Sequence, residues 1–143
     1  MESKFKLLEH GADYGVQGTG KTTENAFEHC AEGMFSIIVD LKKVKSKEKI
    51  NILVTAKNLE ELLINWLNEL LYKSHVKHML FSKFKIEKIK ETKSGFELNG
   101  IAKGEKINSK KHEMALEVKG ATYTGVKVEQ QGKKWIAQCV VDV

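Results

Sequence analysis

Residues 10–15 read His10-Gly11-Ala12-Asp13-Tyr14-Gly15, and they separate the first two strands that the sequence predicts. The glycines permit backbone angles that other residues avoid, or let another group approach closely. Asp13 stands where a strand would be expected to carry an apolar or neutral residue, so it is either a turn residue or a ligand. This stretch alone favours the turn, and the ligand interpretation depends on the other end of the chain.

Composition indicates one ordinary globular domain over residues 1–143, with 41% hydrophobic and 30% charged residues. No apolar run approaches the ~20 residues of a membrane helix, and the first residues lack the apolar core of a signal peptide. We therefore expect a cytoplasmic protein without membrane contact. Cys30 and Cys139 lie in apolar segments, and both are predicted to be reduced core residues.

The net charge is +5, and all 24 basic residues are lysine. Lysine lacks the planar guanidinium of arginine, so such a surface can bind polyanions but is poorly suited to recognising individual bases. Much of the lysine alternates with apolar residues, as in Lys83-Phe84-Lys85-Ile86, which is typical of the solvated face of a sheet. No signature of a common RNA-binding module is present, so no direct sequence-specific nucleic-acid binding is expected.

The first half of the chain predicts two strands, a helix and a third strand. Lys4 to Leu8 forms the first strand, with Phe5 and Leu7 on one side, and Gly18-Thr19-Gly20 breaks the second, which starts at Tyr14. The first helix is capped by Thr22 and ends near Ile38–Asp40. Its apolar face comprises Ala26, Phe27, Cys30, Ala31, Met34, Phe35 and Ile38. Ile50, Ile52 and Val54 share one face of the next strand.

Asn58 caps a second helix, whose apolar stripe runs from Leu59 to Leu71. His75 and His78 follow at its end, where contact with the terminal carbonyls is favoured over metal binding. The remaining chain predicts strands over Lys83–Lys90, Phe96–Gly104, Leu116–Val128 and Trp135–Val143, with a polar loop at Asn108–His112. This order indicates an α+β fold with two helices packed on a mostly antiparallel sheet.

The last predicted strand carries one acidic residue, Asp142, directly before Val143. If the protein ends there, the α-carboxylate of Val143 lies beside it, and pairing of the first and last strands would bring Asp13 to both. Three carboxylates would suit a hard cation, calcium or magnesium, rather than zinc. The alternative is a frayed, solvated terminus, which the spacing alone slightly favours.

Several segments together resemble the archease family in order and spacing, across essentially the whole chain. They are His10–Gly15, Gly20–Glu28, Gly33–Asp40, Leu62–Tyr72 (Leu-Leu-Ile-Asn-Trp-Leu-Asn-Glu-Leu-Leu-Tyr), Val118–Tyr123 (Val-Lys-Gly-Ala-Thr-Tyr) and Val141-Asp142-Val143. Members of that family are small cytosolic α+β proteins. They activate the GTP-dependent RNA ligase that joins tRNA halves, by promoting guanylylation of its active-site histidine and repeated turnover, and they have also been proposed to act as chaperones.

The resemblance implies a cation site formed by Asp13, Asp142 and Val143, with calcium favoured and magnesium as the alternative. Gly120 stands where the family usually has alanine, and Thr124 stands where histidine is frequent, so no role of that histidine is carried over. Lys119 is retained, either as an ordinary exposed sheet lysine or as a cation beside the acidic groups that can meet a phosphate.

The expected function is that of an accessory protein that activates its partner, the GTP-dependent tRNA-splicing RNA ligase, and is not itself an enzyme. The sequence shows no nucleophile–base pair and no phosphate loop. A general chaperone for RNA-processing enzymes is an alternative, and it predicts an exposed apolar patch. A metal-dependent hydrolase is another, for which His10 is the only nearby general base. In the leading interpretation, His10 and Lys119 serve partner binding or activation.

Overall fold

The structure, a computed structural model, describes residues 4–143. Their elements in chain order are β1 (Phe5–His10), β2 (Asp13–Gly20), α1 (Thr23–Ile38), a short 3-10 helix (Leu41–Lys43), β3 (Glu48–Ala56), α2 (Leu59–Lys77), β4 (Met79–Thr92), β5 (Gly95–Lys106), β6 (Gly120–Gln131) and β7 (Lys134–Asp142). The predicted α+β class and both helices are confirmed.

The strands form two antiparallel sheets rather than the one sheet that the sequence predicted. The first sheet has the order β1-β2-β7-β6, and the second has the order β3-β5-β4. The chain begins in the first sheet, crosses to the second, and returns so that its last strand pairs with β2. The last strand therefore lies inside the first sheet, between β2 and β6, while β1 lies at the edge of that sheet.

Helix α1 packs against both sheets and supplies much of the core. Thr22 is its N-cap as predicted, and the Thr22 hydroxyl accepts a hydrogen bond from the Asn25 N–H at 3.1 Å. All seven predicted apolar-face residues of α1 are buried. The helix contacts β2 and β7 on one side and β4 on the other, which explains why its burial extends beyond one stripe.

Gly18 and Gly20 do not break β2, contrary to the prediction, because the strand continues through Gly20. A Cβ atom on Gly18 would lie 2.3 Å from the carbonyl oxygen of Ala26. These glycines therefore let α1 approach the strand at backbone distance, which is a packing role rather than a turn.

Helix α2 begins after the predicted cap, Asn58, whose side chain accepts a hydrogen bond from the Glu61 N–H at 2.8 Å. Trp66 lies at the centre of its buried stripe, and the indole Nε1 donates to the carbonyl of Phe27 in α1 at 3.1 Å. This bond satisfies the one polar group of a fully buried side chain and joins the two helices. His78 ends α2 in the left-handed conformation.

Two smaller predictions are incomplete and one is wrong. In β1, Phe5 and Leu7 share a face as predicted, because the ladder with β2 is regular, but Leu7 is 41% exposed. Residues 113–119 form no strand, so β6 begins only at Gly120. The loop around Asn108 is polar in composition, yet His112 within it is buried.

His112 is buried because it completes a hydrogen-bonded network around Glu105. The Glu105 carboxylate accepts from the Lys45 N–H at 2.8 Å, Lys111 Nζ at 2.6 Å and His112 Nε2 at 3.0 Å. The Asn108 N–H donates to His112 Nδ1 at 3.0 Å, so Nε2 carries the hydrogen that faces Glu105. Lys111, followed by the Lys45 N–H, lowers the pKa of Glu105 to about 2, although burial opposes this shift.

Both cysteines are free and buried, as the sequence analysis expected. Contact with the Cys139 thiol and burial raise the pKa of the Cys30 thiol well above its ordinary value, which keeps it protonated and unreactive. Within the described part of the chain, no helix combines the length and hydropathy needed to cross a membrane.

Candidate site at the acidic tip

The β1–β2 hairpin presents His10 and Asp13 at one end of the first sheet. The two residues form the last pair of the hairpin ladder, and Gly11 and Ala12 make the turn between them. Gly11 has a φ of 62° with open space around it, so this position needs glycine for its backbone angle. The turn interpretation of the stretch is therefore correct, and it does not exclude the ligand interpretation of Asp13.

Pairing of β2 with β7 brings Asp13 to the end of the chain. Tyr14 is opposite Val141, so the next residues outward are Asp13 on one strand and Asp142 on the other. The Val143 N–H donates to Asp13 Oδ1 at 3.2 Å. We call Asp13, Asp142 and Val143 the acidic tip. The predicted convergence required pairing of the first and last strands; in the structure the second strand, β2, pairs with the last, and this pairing brings Asp13 to Asp142 and Val143.

Lys119 reaches the acidic tip through its backbone. The Lys119 N–H donates to the carbonyl oxygen of Asp142 at 2.8 Å, and the next residue, Gly120, pairs with Asp142 in the ladder. The Lys119 side chain is exposed and forms no ion pair within residues 4–143. Its ammonium group is thus available to a phosphate near the tip. His10 is also exposed, and only the hairpin links it to Asp13.

Asn68 of α2, for which the sequence predicted no role, positions this end of β6. Its Nδ2 donates to the carbonyl of Ala121 at 3.2 Å, and its Oδ1 accepts from the Ala121 N–H at 2.8 Å. The amide therefore replaces a strand partner for one residue of β6. An asparagine among leucines on a helix is the only sequence signal that could have identified it, since its partner is 53 residues away.

The donor set of the acidic tip is chemically suited to a hard cation. It would offer two aspartate carboxylates and, in a protein that ends at Val143, an α-carboxylate, all of them oxygen ligands. Within residues 4–143, no three His, Cys, Asp or Glu side chains come together as a metal site. The tip has only two such side chains, so a site here depends on the main-chain group. One oxygen of Asp13 is already held by the Val143 N–H.

A second surface feature is an apolar groove between the end of α2 and the irregular segment that precedes β6. It has a cavity volume of about 400 Å³. Its lining includes Leu71, Ile107, Met114 and Leu116, with His75 and His78 at the helix end. Ile107, Met114 and Leu116 are each more than 40% exposed. Such a concentration of exposed apolar side chains is what the chaperone interpretation predicted.

The fold and the tip together define a class: small α+β proteins in which two helices join two antiparallel sheets, with acidic groups gathered at one sheet end. The model of the Archease protein family (MTH1598/TM1083) matches residues 5–143. The chain belongs to the archease family.

Relatives and solved structures agree with this assignment over nearly the full length. The chain is 38% identical to Protein archease of Methanosarcina mazei over 140 residues, covering 98% of this chain and 96% of that protein. It is 41% identical to Protein archease of Pyrococcus furiosus over 141 residues, covering 98% and 99%. The solution structure of Methanobacterium thermoautotrophicum protein 1598 superposes with a TM-score of 0.87 at 32% identity, covering 99% of this chain and 100% of that one.

A more distant structure shares the fold alone. It is the crystal structure of an archease from Thermotoga maritima, described as a possible chaperone, with a TM-score of 0.53 at 20% identity over 96% of both chains.

Proposed function

We propose that this protein activates a GTP-dependent tRNA-splicing RNA ligase in the cytoplasm, promoting guanylylation and repeated turnover of the ligase through its acidic tip. Membership of the archease family supports the partner. The single observation that supports the tip is the contact between Asp13 Oδ1 and the Val143 N–H, because it joins residues 130 positions apart where the cation site was expected.

Guanylate transfer depends on positioning and on neutralising the charge of the triphosphate. A calcium or magnesium ion held by the tip would supply such neutralisation when bound. Asp13 would be the best-ordered ligand, since Val143 fixes one of its oxygens. Asp142, on the neighbouring strand β7, is exposed, so its carboxylate is accessible to the same cation. In this proposal Lys119 and His10 contact the ligase or its nucleotide, and the protein has no catalytic group of its own.

The test is transfer of labelled guanylate from GTP to the ligase, with each variant added at substoichiometric amounts. Wild type should increase both guanylylation and turnover, whereas Asp13→Ala and Asp142→Ala should not. Glu129→Ala is a matched control, because Glu129 is an exposed carboxylate near the opposite end of the same sheet. Full activation by both aspartate variants would remove the acidic tip from the mechanism.

The third ligand can be tested separately by adding one glycine after Val143. The extension moves the α-carboxylate away while leaving Asp13 and Asp142 unchanged. We expect cation affinity, measured by titration calorimetry, to fall as it does for Asp142→Ala. Unchanged affinity would show that the terminal carboxylate is not a ligand.

The apolar groove favours a second candidate function, that of a chaperone for RNA-processing enzymes. This function predicts that Leu116→Ser reduces suppression of client aggregation, whereas Asp13→Ala does not. If the function is ligase activation through the tip, Asp13→Ala should abolish activation in the ligase assay, whereas Leu116→Ser should not. A hydrolase using His10 as base would be revealed by turnover of nucleotide or RNA by the purified protein alone.

A further inference from the structure

The outer face of the second sheet carries an array of lysines that the proposed function does not use. Burial shows which face this is, because Ile52, Ile86, Leu98 and Ala102 point into the core. The residues between them point outward and form four cross-strand rows. These rows, written β3-β5-β4, are Lys49-Lys103-Lys83, Asn51-Ile101-Lys85, Leu53-Asn99-Lys88 and Thr55-Glu97-Lys90. We call this surface the lysine face.

A β-bulge in β4 aligns four of these lysines. Strict alternation from Lys83 and Lys85 would place Glu87 and Ile89 outward next. The register shift between Ile86 and Lys88 instead puts Lys88 and Lys90 opposite the outward residues Asn99 and Glu97. Because of the bulge, the outward residues of β4 are all lysines instead of a mixture of lysine, glutamate and isoleucine. Successive lysines are about 6.6 Å apart where the strand is regular.

A buried carboxylate from α1 stabilises this bulge. Glu28 is 7% exposed, and its Oε2 accepts from the Ile86 N–H at 2.7 Å. Asn25 Nδ2 donates to Oε1 at 3.2 Å. The backbone group that the bulge takes out of the ladder is thus paired by a residue of the core helix. The contact between α1 and β4 therefore stabilises the alignment of the lysines.

The lysines of this face outnumber the carboxylates beside them. None of the six forms an ion pair within residues 4–143, although Glu97 lies directly across from Lys90 and Glu87 lies at the bulge. Lys49, Lys103 and Lys83 lie directly across from one another, an arrangement that destabilises a sheet. A bound polyanion would remove this repulsion.

We propose that the lysine face binds the phosphate backbone of RNA without reading its sequence. The continuous line of charges along β4 fits a linear polyanion. The face has no arginine for bidentate contacts to bases and no aromatic side chain on which a base could stack. Binding therefore rests on phosphate contacts alone, which lysine makes as a point charge.

Fluorescence anisotropy of a labelled single-stranded RNA, titrated with the protein alone at several salt concentrations, tests this proposal. Wild type should bind different sequences equally and lose affinity as salt rises. The variant Lys49→Gln/Lys83→Gln/Lys103→Gln should bind roughly tenfold or more weakly at low salt, and its salt slope should fall by about 2, that is about 0.7 for each lost contact.

The matched control is Lys127→Gln/Lys133→Gln/Lys134→Gln, which removes the same charge from exposed positions of β6, β7 and the turn between them. The control should retain wild-type binding. Equal losses in both variants, absence of binding by wild type, or strong sequence dependence would overturn the proposal. So would equal binding of polyglutamate or anionic vesicles, which would indicate a general anion surface.

Folding can be monitored in the same samples. Removing the like-charge row should leave the melting temperature unchanged or raise it. If that variant fails to fold, Lys85→Gln/Lys88→Gln/Lys90→Gln tests the same face with the row intact. Because these assays contain no ligase, their outcome is independent of whether the acidic tip activates one.

Discussion

At the scale of single residues, the residues of the candidate site are identified by hydrogen bonds to main-chain groups and not by contacts between side chains. Lys119 is one of 24 lysines, and its main-chain bond to Asp142, just before β6 begins, places it beside the acidic tip. Asp13 is likewise identified by its contact with Val143. Neither residue is buried, so a substitution at either one should test activity without unfolding the protein.

Lys119→Ala should weaken ligase activation while leaving thermal stability nearly unchanged. The side chain is exposed and forms no ion pair with the described residues, and substitutions of this kind usually change the free energy of unfolding by less than ~0.5 kcal/mol. The measurements are guanylate transfer to the ligase and thermal unfolding. Lys127→Ala, which alters an exposed lysine within β6, should leave both unchanged. Loss of folding together with unaltered activation per folded molecule would make Lys119 a structural residue.

Glu105 should make folding sensitive to acid. Its pKa is lowered from 4.5 to about 2 in the folded protein. Its contribution to stability is therefore fully present above pH ~4.5 and is lost as the pH falls toward 2. Unfolding by urea at several pH values should show that Glu105→Gln is less stable than wild type at neutral pH. The difference should shrink across this window, and a difference independent of pH would contradict the assignment.

At the scale of elements, glycine has opposite roles at two positions of the first sheet. Gly18 lies where α1 touches β2, and a Cβ there would be 2.3 Å from backbone atoms of Ala26 and Cys30. Gly120 begins β6 and has only Asn68 Oδ1 nearby, at 3.5 Å, which is an ordinary contact. Each position has a φ that any residue can adopt, so space alone separates them.

Gly18→Ala should destabilise the protein by about 3 kcal/mol, because helix and strand must separate to admit the methyl group. Gly120→Ala should instead be neutral or stabilise it by about 0.4–1 kcal/mol, through the lower entropy of the unfolded chain. Equilibrium unfolding by denaturant measures both variants. A large loss for Gly120→Ala would show that the start of β6 has no room for the alanine that is usual in the family.

At the scale of the whole molecule, the acidic tip joins the β1–β2 hairpin to the end of the last strand. A cation bound there would hold β2, β7 and the end of the chain together only in the folded state. Ligand binding to the folded state alone raises the free energy of unfolding, by about 2.7 kcal/mol at a hundred times the dissociation constant.

Calcium should therefore raise the melting temperature of wild type, and magnesium should do so to a similar or smaller degree. The variant Asp13→Ala/Asp142→Ala should show no such increase, whereas Glu129→Ala should respond as wild type does. Differential scanning calorimetry with and without each ion gives the comparison. Equal stabilisation of wild type and the double variant would place any cation site elsewhere.

Local signals in the sequence determined the helices, their caps and most strand positions. Thr22 and Asn58 could be identified because a cap acts within three residues of itself. The buried stripes of α1 and α2 followed from helical spacing. The acidic residues of the tip could be named from their places at strand ends and from the family resemblance, but their convergence depended on a pairing that the sequence did not show.

Only the tertiary structure decided how the strands divide into two sheets and what the glycines of β2 do. It also decided that Asn68 supports β6, that His112 is buried against Glu105, and that a bulge aligns the lysines of β4. Each of these depends on groups far apart in the chain, or on one residue inserted in a ladder. Local periodicity contains no information about such contacts, since a strand pattern is the same whichever partner it meets. The sequence by itself thus determined the elements and the chemistry available, while packing decided which of those groups meet.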